Sequence, residues 1–353
     1  MFNKSKIIIG FFIGLTLLVN TACSNASLIE KSTASTNVKL TSDEKKIYVG
    51  FLLDTLKDER WYKDKALFEE HIVSLGGNVK TLAANGLDDV QIKQAELLID
   101  EGADVLVVVP HDAEVSATIV KLAHKAGIKV ISYDRLIRNA ELDYYISFDN
   151  EKVGEIQATE VLNQVTKGSF AYIGGAESDN NAILFRQGAM NVLQPFIDKG
   201  EINLVYDQYT KEWEPKIAEK NMLEALKKGK NQIDAVIAAN DGTAGGVIQS
   251  LSTIGLAGKI PVSGQDAELA GIHRIIEGTQ TMTVYKPIPV LAAEAAEMAI
   301  KVGKGEQIDT NNKVNNGQID VPSVLLEPVA VTKDNIVDTV IKDGYLTEEE
   351  VYK

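Results

Sequence analysis

Val130-Ile131-Ser132-Tyr133-Asp134-Arg135 is a β-branched, aliphatic run that stops on a carboxylate and a guanidinium. The same punctuation recurs along the chain. Ile47 to Leu53 runs into Asp54, Ile233 to Ala239 into Asn240-Asp241, Pro261 to Gln265 into Asp266, and Met282 to Tyr285 into Lys286. Strands buried on both faces of a parallel sheet read as short apolar runs of this kind. Open α/β sheets bind ligands in the crevice outside the carboxyl ends of their strands. Polar groups at the end of strand after strand therefore propose one site, rich in carboxylates, amides and cations. That chemistry suits a neutral, polyhydroxylated molecule.

Working outward from these runs, apolar residues recur at helical spacing after Asp58 (Trp61, Ala66, Leu67, Val73) and after Asp89 (Ile92, Ala95, Leu98, Ile99). With strands expected at 79–83, 105–109, 129–132 and 145–148, this is a βαβαβ series. It implies right-handed crossovers and a parallel sheet covered by helices on both faces. A second series follows: strand 169–173, helix 182–196, strand 204–206, helix 215–227, strand 235–238, helix 245–254, and strands near Val262 and Thr283. Two α/β units of similar rhythm predict two lobes, with a boundary near 149–154. Past Lys286, Pro287-Ile288-Pro289 interrupts the strand, 290–302 reads as an Ala-rich helix, 311–318 as a polar loop and 322–331 as strand again. These late elements are free to return to either lobe.

At 353 residues the chain is long enough for two domains. A formal charge of -14 argues against nucleic acid, whose binding needs clustered Lys and Arg against phosphates, and against docking on an anionic lipid surface. Lys4 and Lys6 precede an apolar stretch from Ile7 to Val19, followed by Thr21-Ala22-Cys23. That stretch is too short for a membrane span of about 20 residues and matches the core of a secretory signal, placed at 1–22. Cys23 is the single cysteine, so it forms no internal disulfide, and its position fits lipid attachment, although Asn20 stands where a Leu is usual. Residues 23–44, rich in Ser, Thr, Asn and Lys, read as a flexible tether. The expected location is extracytoplasmic, with the lipid anchor as the sole membrane contact.

The chemistry-bearing residues gather at strand ends. Trp61 and Trp213 each lie just past a strand, where an aromatic face can stack on the C–H face of a pyranose. Asp134-Arg135 pairs a two-acceptor carboxylate with a bidentate donor. Asp179-Asn180-Asn181 follows the strand ending in Gly174-Gly175, and Asn240-Asp241, Asp266 and Lys286 complete the set. Each has a plainer reading: a Trp as core, Asp-Arg as a surface ion pair, Asn and Asp as turn residues. Their repetition at one kind of position favours function. Catalysis is not expected. Beyond Cys23 there is no cysteine nucleophile, and His71, His111, His124 and His273 lack metal-ligand spacing. The clusters at Gly174-Gly175 and 242–246 are neither G-x-G-x-x-G nor a P-loop, so neither metal nor cofactor is expected. A glycosidase pair of carboxylates is conceivable, but carboxylates spread over both lobes fit closure on a monosaccharide better than attack on a glycosidic bond.

Several longer stretches carry a resemblance. Lys57-Asp58-Glu59-Arg60-Trp61, Ala84-Asn85-Gly86, Tyr133-Asp134-Arg135, the decapeptide 145–154, Asp179-Asn180-Asn181-Ala182, Ala239-Asn240-Asp241, Ser263-Gly264-Gln265-Asp266-Ala267 and the run 278–287 ending in Tyr285-Lys286-Pro287 together resemble the bacterial D-xylose-binding proteins. These belong to the periplasmic sugar-binding superfamily that serves ABC transporters. The resemblance spans about residues 46 to 346. It implies the type I periplasmic binding protein fold, two Rossmann-like lobes joined by a three-segment hinge. The lobes would comprise 45–150 with 287–323, and 151–286 with 324–353. It further implies a pentopyranose sandwiched by Trp61 and Trp213, bonded by Arg60, Asp134 and Arg135 on one side and by Asp179, Asn181, Asn240, Asp266 and Lys286 on the other. Lys57 falls on the rim, and Asp54 takes a supporting role. The implied function is D-xylose binding by lobe closure for an ABC permease. The alternatives are a xylose sensor docking on a membrane sensor kinase or chemoreceptor, and, less well supported, a sugar-processing enzyme. A LacI-type repressor shares the lobes but would need a DNA-binding helix-turn-helix where this chain carries an export signal.

Overall fold

The structure is a computed structural model that describes residues 45–353; the expected signal, Cys23 and the tether lie outside the described residues. The first half of the chain alternates β1 (Tyr48–Leu53), α1 (Glu59–Ser74), β2 (Asn78–Ala83), α2 (Asp88–Asp100), β3 (Val105–Val108), α3 (Ala117–Lys125), β4 (Lys129–Tyr133), β5 (Tyr144–Phe148) and α4 (Asn150–Leu162). The middle continues with β6 (Gly168–Ile173), α5 (Asn180–Asp198), β7 (Ile202–Gln208), α6 (Pro215–Lys228), β8 (Ala235–Ala238), α7 (Asp241–Thr253), α8 (Leu269–Glu277) and β9 (Thr283–Tyr285). The end adds α9 (Ile288–Gly303), β10 (Asn312–Asn315), β11 (Asp320–Leu326), β12 (Val329–Val331) and α10 (Glu348–Tyr352).

The apolar runs fold as their burial demands. Every residue of β1 is buried, and the strand feeds two cores at once: Val49, Phe51 and Leu53 pack with α1 and α9, while Tyr48 and Leu52 pack with α2 and α3. The resulting sheet has the order β10-β11-β5-β4-β3-β1-β2, parallel except for β10. A second parallel sheet, β7-β6-β8, repeats the plan: Ala171, Ile173, Val236 and Ala238 face α6 and α7, and Phe170, Tyr172 and Ile237 face α4 and α5. Bridges at Val236–Val262 and Gln265–Val284 link it to the antiparallel pair β9–β12. The chain passes between the two lobes three times, after β5, after β9 and after β11. Strand pairing keeps β11 beside β5 up to Leu326, so the third lies at Glu327-Pro328, past the expected change at 323/324.

Other differences have local causes. Residues 312–315, expected as loop, form the antiparallel edge strand β10, whose Asn and Lys side chains face water and blunt the sheet edge. Residues around Val262 make bridges instead of a named strand, and 322–331 divides between β11 in the first sheet and β12 in the second. Pro289 sits in the first turn of α9, where its missing N–H has no intrahelical partner to lose. Helices α3, α4 and α8 have short apolar faces that the sequence reading passed over; α4 starts directly behind Asp149, whose carboxylate accepts from the Lys152 N–H.

Helices α4 and α5 touch backbone to backbone. A Cβ on Gly154 would lie 1.9 Å from the Phe185 carbonyl oxygen, and one on Gly188 would lie 1.9 Å from the Glu151 carbonyl oxygen. Ala at either position must push the helices apart, and overpacking typically costs about 1–3 kcal/mol. Urea unfolding of Gly154→Ala and Gly188→Ala should show midpoints lowered accordingly, with an unchanged slope.

Candidate functional site

Strand ends and helix starts of both lobes meet around one narrow cleft, which their own side chains largely fill. All ten residues expected to bind the sugar line it: Arg60, Trp61, Asp134, Arg135, Asp179, Asn181, Trp213, Asn240, Asp266 and Lys286. Lys57 does not. It lies in an adjoining pocket, where its ammonium donates to the Glu212 carbonyl (2.8 Å) and pairs with Glu214 (3.3 Å).

The charged groups form two clusters, each spanning both lobes. In the first, Arg60 contacts Asp64 (3.2 Å), Asp134 (3.0 Å) and Asp266 (3.3 Å), while Lys286 lies 3.4 Å from both Asp134 and Asp266. In the second, Arg135 holds Asp54 (2.7 Å) and Asp179 (2.9 Å), and Asp54 in turn holds His111 Nδ1 at 2.8 Å. Burial pushes the Asp134 carboxyl upward, but Arg60, Lys286 and Arg135 outweigh it and hold the group at about 2. For Asp179 burial wins over Arg135, and its carboxyl is raised. Asp54 therefore orients Arg135, which is a supporting role.

Local structure aims these groups. Asp179 and Asn240 are the N-caps of α5 and α7; Asp179 Oδ1 accepts from the Asn181 N–H (2.9 Å) and Asn240 Oδ1 from the Thr243 N–H (2.8 Å). Each cap locks one side-chain atom; the other Asp179 oxygen holds Arg135, and the Asn240 amide nitrogen is left for the cavity. Asp134, Glu212, Trp213 and Asp266 all have φ between 55° and 87°, the left-handed region that non-glycine residues occupy at a cost of order 1–3 kcal/mol. The Asp134 carbonyl is held by the Tyr145 hydroxyl (3.0 Å) and Ser147 Oγ (2.5 Å). Trp213 lies against Gly175, where a Cβ would sit 2.0 Å from the ring, and edge-on to Phe185. The Gly174-Gly175 strand end thus makes room for the indole. The guanidinium carbons of Arg60 and Arg135 lie 4.3 and 5.3 Å from the centre of the Trp61 ring.

Three cavity residues escaped the sequence reading: Asp58, Phe185 and Gln265. Asp58 precedes α1 without making a capping bond. Phe185 stands four residues after Asn181, on the same face of α5. Gln265 and Asp266 would point oppositely in a regular strand, but φ of +87° at Asp266 breaks the alternation and brings both to the cavity. Trp61 Nε1, Trp213 Nε1 and Gln265 Oε1 are buried without a hydrogen-bond partner in the protein. An enclosure of carboxylates, amides and cations between two indoles can satisfy many hydroxyls at once. Among the described residues no group of three or more His, Cys, Asp or Glu could hold a metal, and no helix is long and apolar enough to cross a membrane.

Residues 49–307 match the family described as "Periplasmic binding protein domain". The chain is 51% identical over 307 residues to the D-xylose-binding periplasmic protein of Escherichia coli (strain K12), covering 87% of this chain and 93% of that protein. It is 35% identical over 327 residues to a multiple sugar-binding periplasmic receptor of Rhizobium radiobacter, covering 86% and 92%. Among solved structures, it superposes with a TM-score of 0.80 on a carbohydrate transporter solute binding protein from Chloroflexus aurantiacus in complex with D-glucose, 32% identical, covering 86% of this chain and 97% of that one.

The Asp134 carboxyl, held at about 2 against an ordinary 3.8, stabilises the fold fully above about pH 4. Its contribution is lost as pH falls through about 2. Asp134→Asn leaves Arg60 and Lys286 short of a buried anion and should cost about 3–5 kcal/mol at neutral pH. Its acid limb between pH 4 and 2 should be shallower than wild type by on the order of 2 kcal/mol, as denaturation at a series of pH values would read.

Proposed function

The chain belongs to the periplasmic binding protein family, and we propose that it binds D-xylose outside the cytoplasmic membrane by closing two lobes on it, for delivery to an ABC importer. The observation that carries this is the convergence of ten polar and aromatic residues, from strand ends and helix starts of both lobes, on one narrow cleft. In the proposed pose the pyranose lies between Trp61 and Trp213. Arg60, Asp134 and Arg135 bond its hydroxyls from the first lobe; Asp179, Asn181, Asn240, Asp266 and Lys286 bond them from the second. No bond is made or broken, and the work is done by desolvation. On closure each sugar hydroxyl leaves water and must find a protein partner, at a cost of about 1–3 kcal/mol for any left unpaired. An epimer misplaces a hydroxyl, and a hexose brings an extra hydroxymethyl into a filled site.

The mature chain would begin at Cys23, carry acyl chains there, and hang from the membrane by the 23–44 tether. A second reading, in which the closed form docks on a membrane sensor, draws on the 35%-identical relative that is called a receptor. Loss of xylose uptake on deleting the gene, with xylose-induced transcription intact, favours delivery; the reverse favours sensing.

Titration calorimetry against xylose, arabinose, ribose and glucose tests the ligand. Xylose should bind tightest, and a clear preference for another sugar defeats the assignment. Trp213→Ala should weaken xylose binding by at least about tenfold. Mass spectrometry after incubation with xylose or a xyloside should find no product. Cys23→Ser should move the mature protein from the membrane fraction into solution, as immunoblotting of the fractions would show.

A further inference from the structure

None of residues 145–154 lines the cleft between the lobes. Gly154 serves the α4–α5 contact. Asn150 serves something else. It is buried at the first crossing between the lobes, and its Nδ2 lies within hydrogen-bond distance of the Tyr145 hydroxyl (3.3 Å), Ser147 Oγ (3.2 Å) and Asn181 Oδ1 (3.1 Å). Tyr145 and Ser147 stand on β5 of the first lobe, and Asn181 on the first turn of α5 in the second. With Oδ1 engaged by Asn150, Asn181 turns its Nδ2 to Asp134, donating to the carbonyl oxygen (3.1 Å) and to carboxylate Oδ1 (3.2 Å).

We propose that Asn150 is a positioning residue: it fixes the amide orientation of Asn181 and so couples rotation at the first crossing to capture of the sugar between Asp134 and Asn181. An amide has two ends of similar size and opposite polarity. Turned over, Asn181 would set its oxygen against two oxygens of Asp134, and in a buried site such unpaired acceptors are costly. The Asn150 donor opposes the same alternative from the other end of the amide, where a turned Asn181 would set its nitrogen against Asn150 Nδ2. Because Asn150 also reaches Tyr145 and Ser147, which hold the same Asp134 carbonyl, one amide ties the hinge to ligand residues on both sides of the cleft. The role rests on the sugar-binding reading of that cleft.

Two variants separate positioning from bulk structure. Asn150→Ala removes the donor and leaves Asn181 held from the Asp134 end alone; Asn150→Asp replaces the donor by an acceptor and favours the turned orientation. In stopped-flow titrations with D-xylose, Asn150→Ala should keep the wild-type association rate within about twofold and dissociate about tenfold faster, the loss of roughly one hydrogen-bonded contact. Asn150→Asp should dissociate faster still. Sugar-induced compaction in small-angle scattering should shrink in the same order, while the melting temperature of Asn150→Ala without sugar stays within a few degrees of wild type. Should Asn150→Asp fail to fold, Asn150→Ala carries the test. A wild-type dissociation rate in Asn150→Ala overturns the proposal, as does a loss of affinity matched by an equal loss of stability without sugar. Failure of the wild type to bind any of the four sugars would instead overturn the proposed function.

Discussion

Three cations and five carboxylates share the closed cleft: Arg60, Arg135 and Lys286 with Asp54, Asp64, Asp134, Asp179 and Asp266, all buried. An unpaired charge in such a place costs several kcal/mol, and attraction offsets that cost only where geometry is good and the remaining lone pairs and protons are engaged. The pairs that meet this condition run between lobes. Arg135 of the first reaches Asp179 of the second, Arg60 reaches Asp266, and Lys286 reaches Asp134. The relative setting of the lobes is therefore the setting at which these three cross-lobe pairs form. The same groups are what a polyhydroxylated guest needs, since charge-assisted bonds to hydroxyls are the stronger kind.

Each of these groups also has a structural attachment that keeps it aimed. Asp179 and Asn240 cap helices with one atom; the other Asp179 oxygen holds Arg135, and the Asn240 amide nitrogen faces the cavity. Asp134 is pinned through its own carbonyl by Tyr145 and Ser147. Trp213 rests on the bare backbone of Gly175. Left-handed backbone at Asp134, Glu212, Trp213 and Asp266 means that the cleft stores strain which the two α/β cores absorb.

Much of the site could be seen in the sequence because a parallel sheet brings the carboxyl ends of its strands to one edge. Val130–Arg135 and Met282–Lys286 announce their polar termini without reference to any other part of the chain. Asp58, Gln265 and Phe185 could not be seen the same way. Asp58 looks like an ordinary helix cap, Gln265 looks like the wrong face of a strand, and Phe185 looks like the core of α5. Residues 312–315 were misread for a similar reason, since a polar edge strand carries the composition of a loop.

Apolar periodicity and polar strand ends are local properties, and they sufficed for the α/β class, two lobes and the chemical character of the cleft. Pairing is not local. That Arg135 meets Asp54 and Asp179, that Asn181 turns its nitrogen toward Asp134, and that the last crossing falls at Glu327-Pro328 depend on which distant segments the topology places side by side. A residue type states what a side chain can donate or accept. Which partner it finds once water is excluded was decided by the packing of the two lobes, because only there does leaving a charge or an amide unpaired become costly.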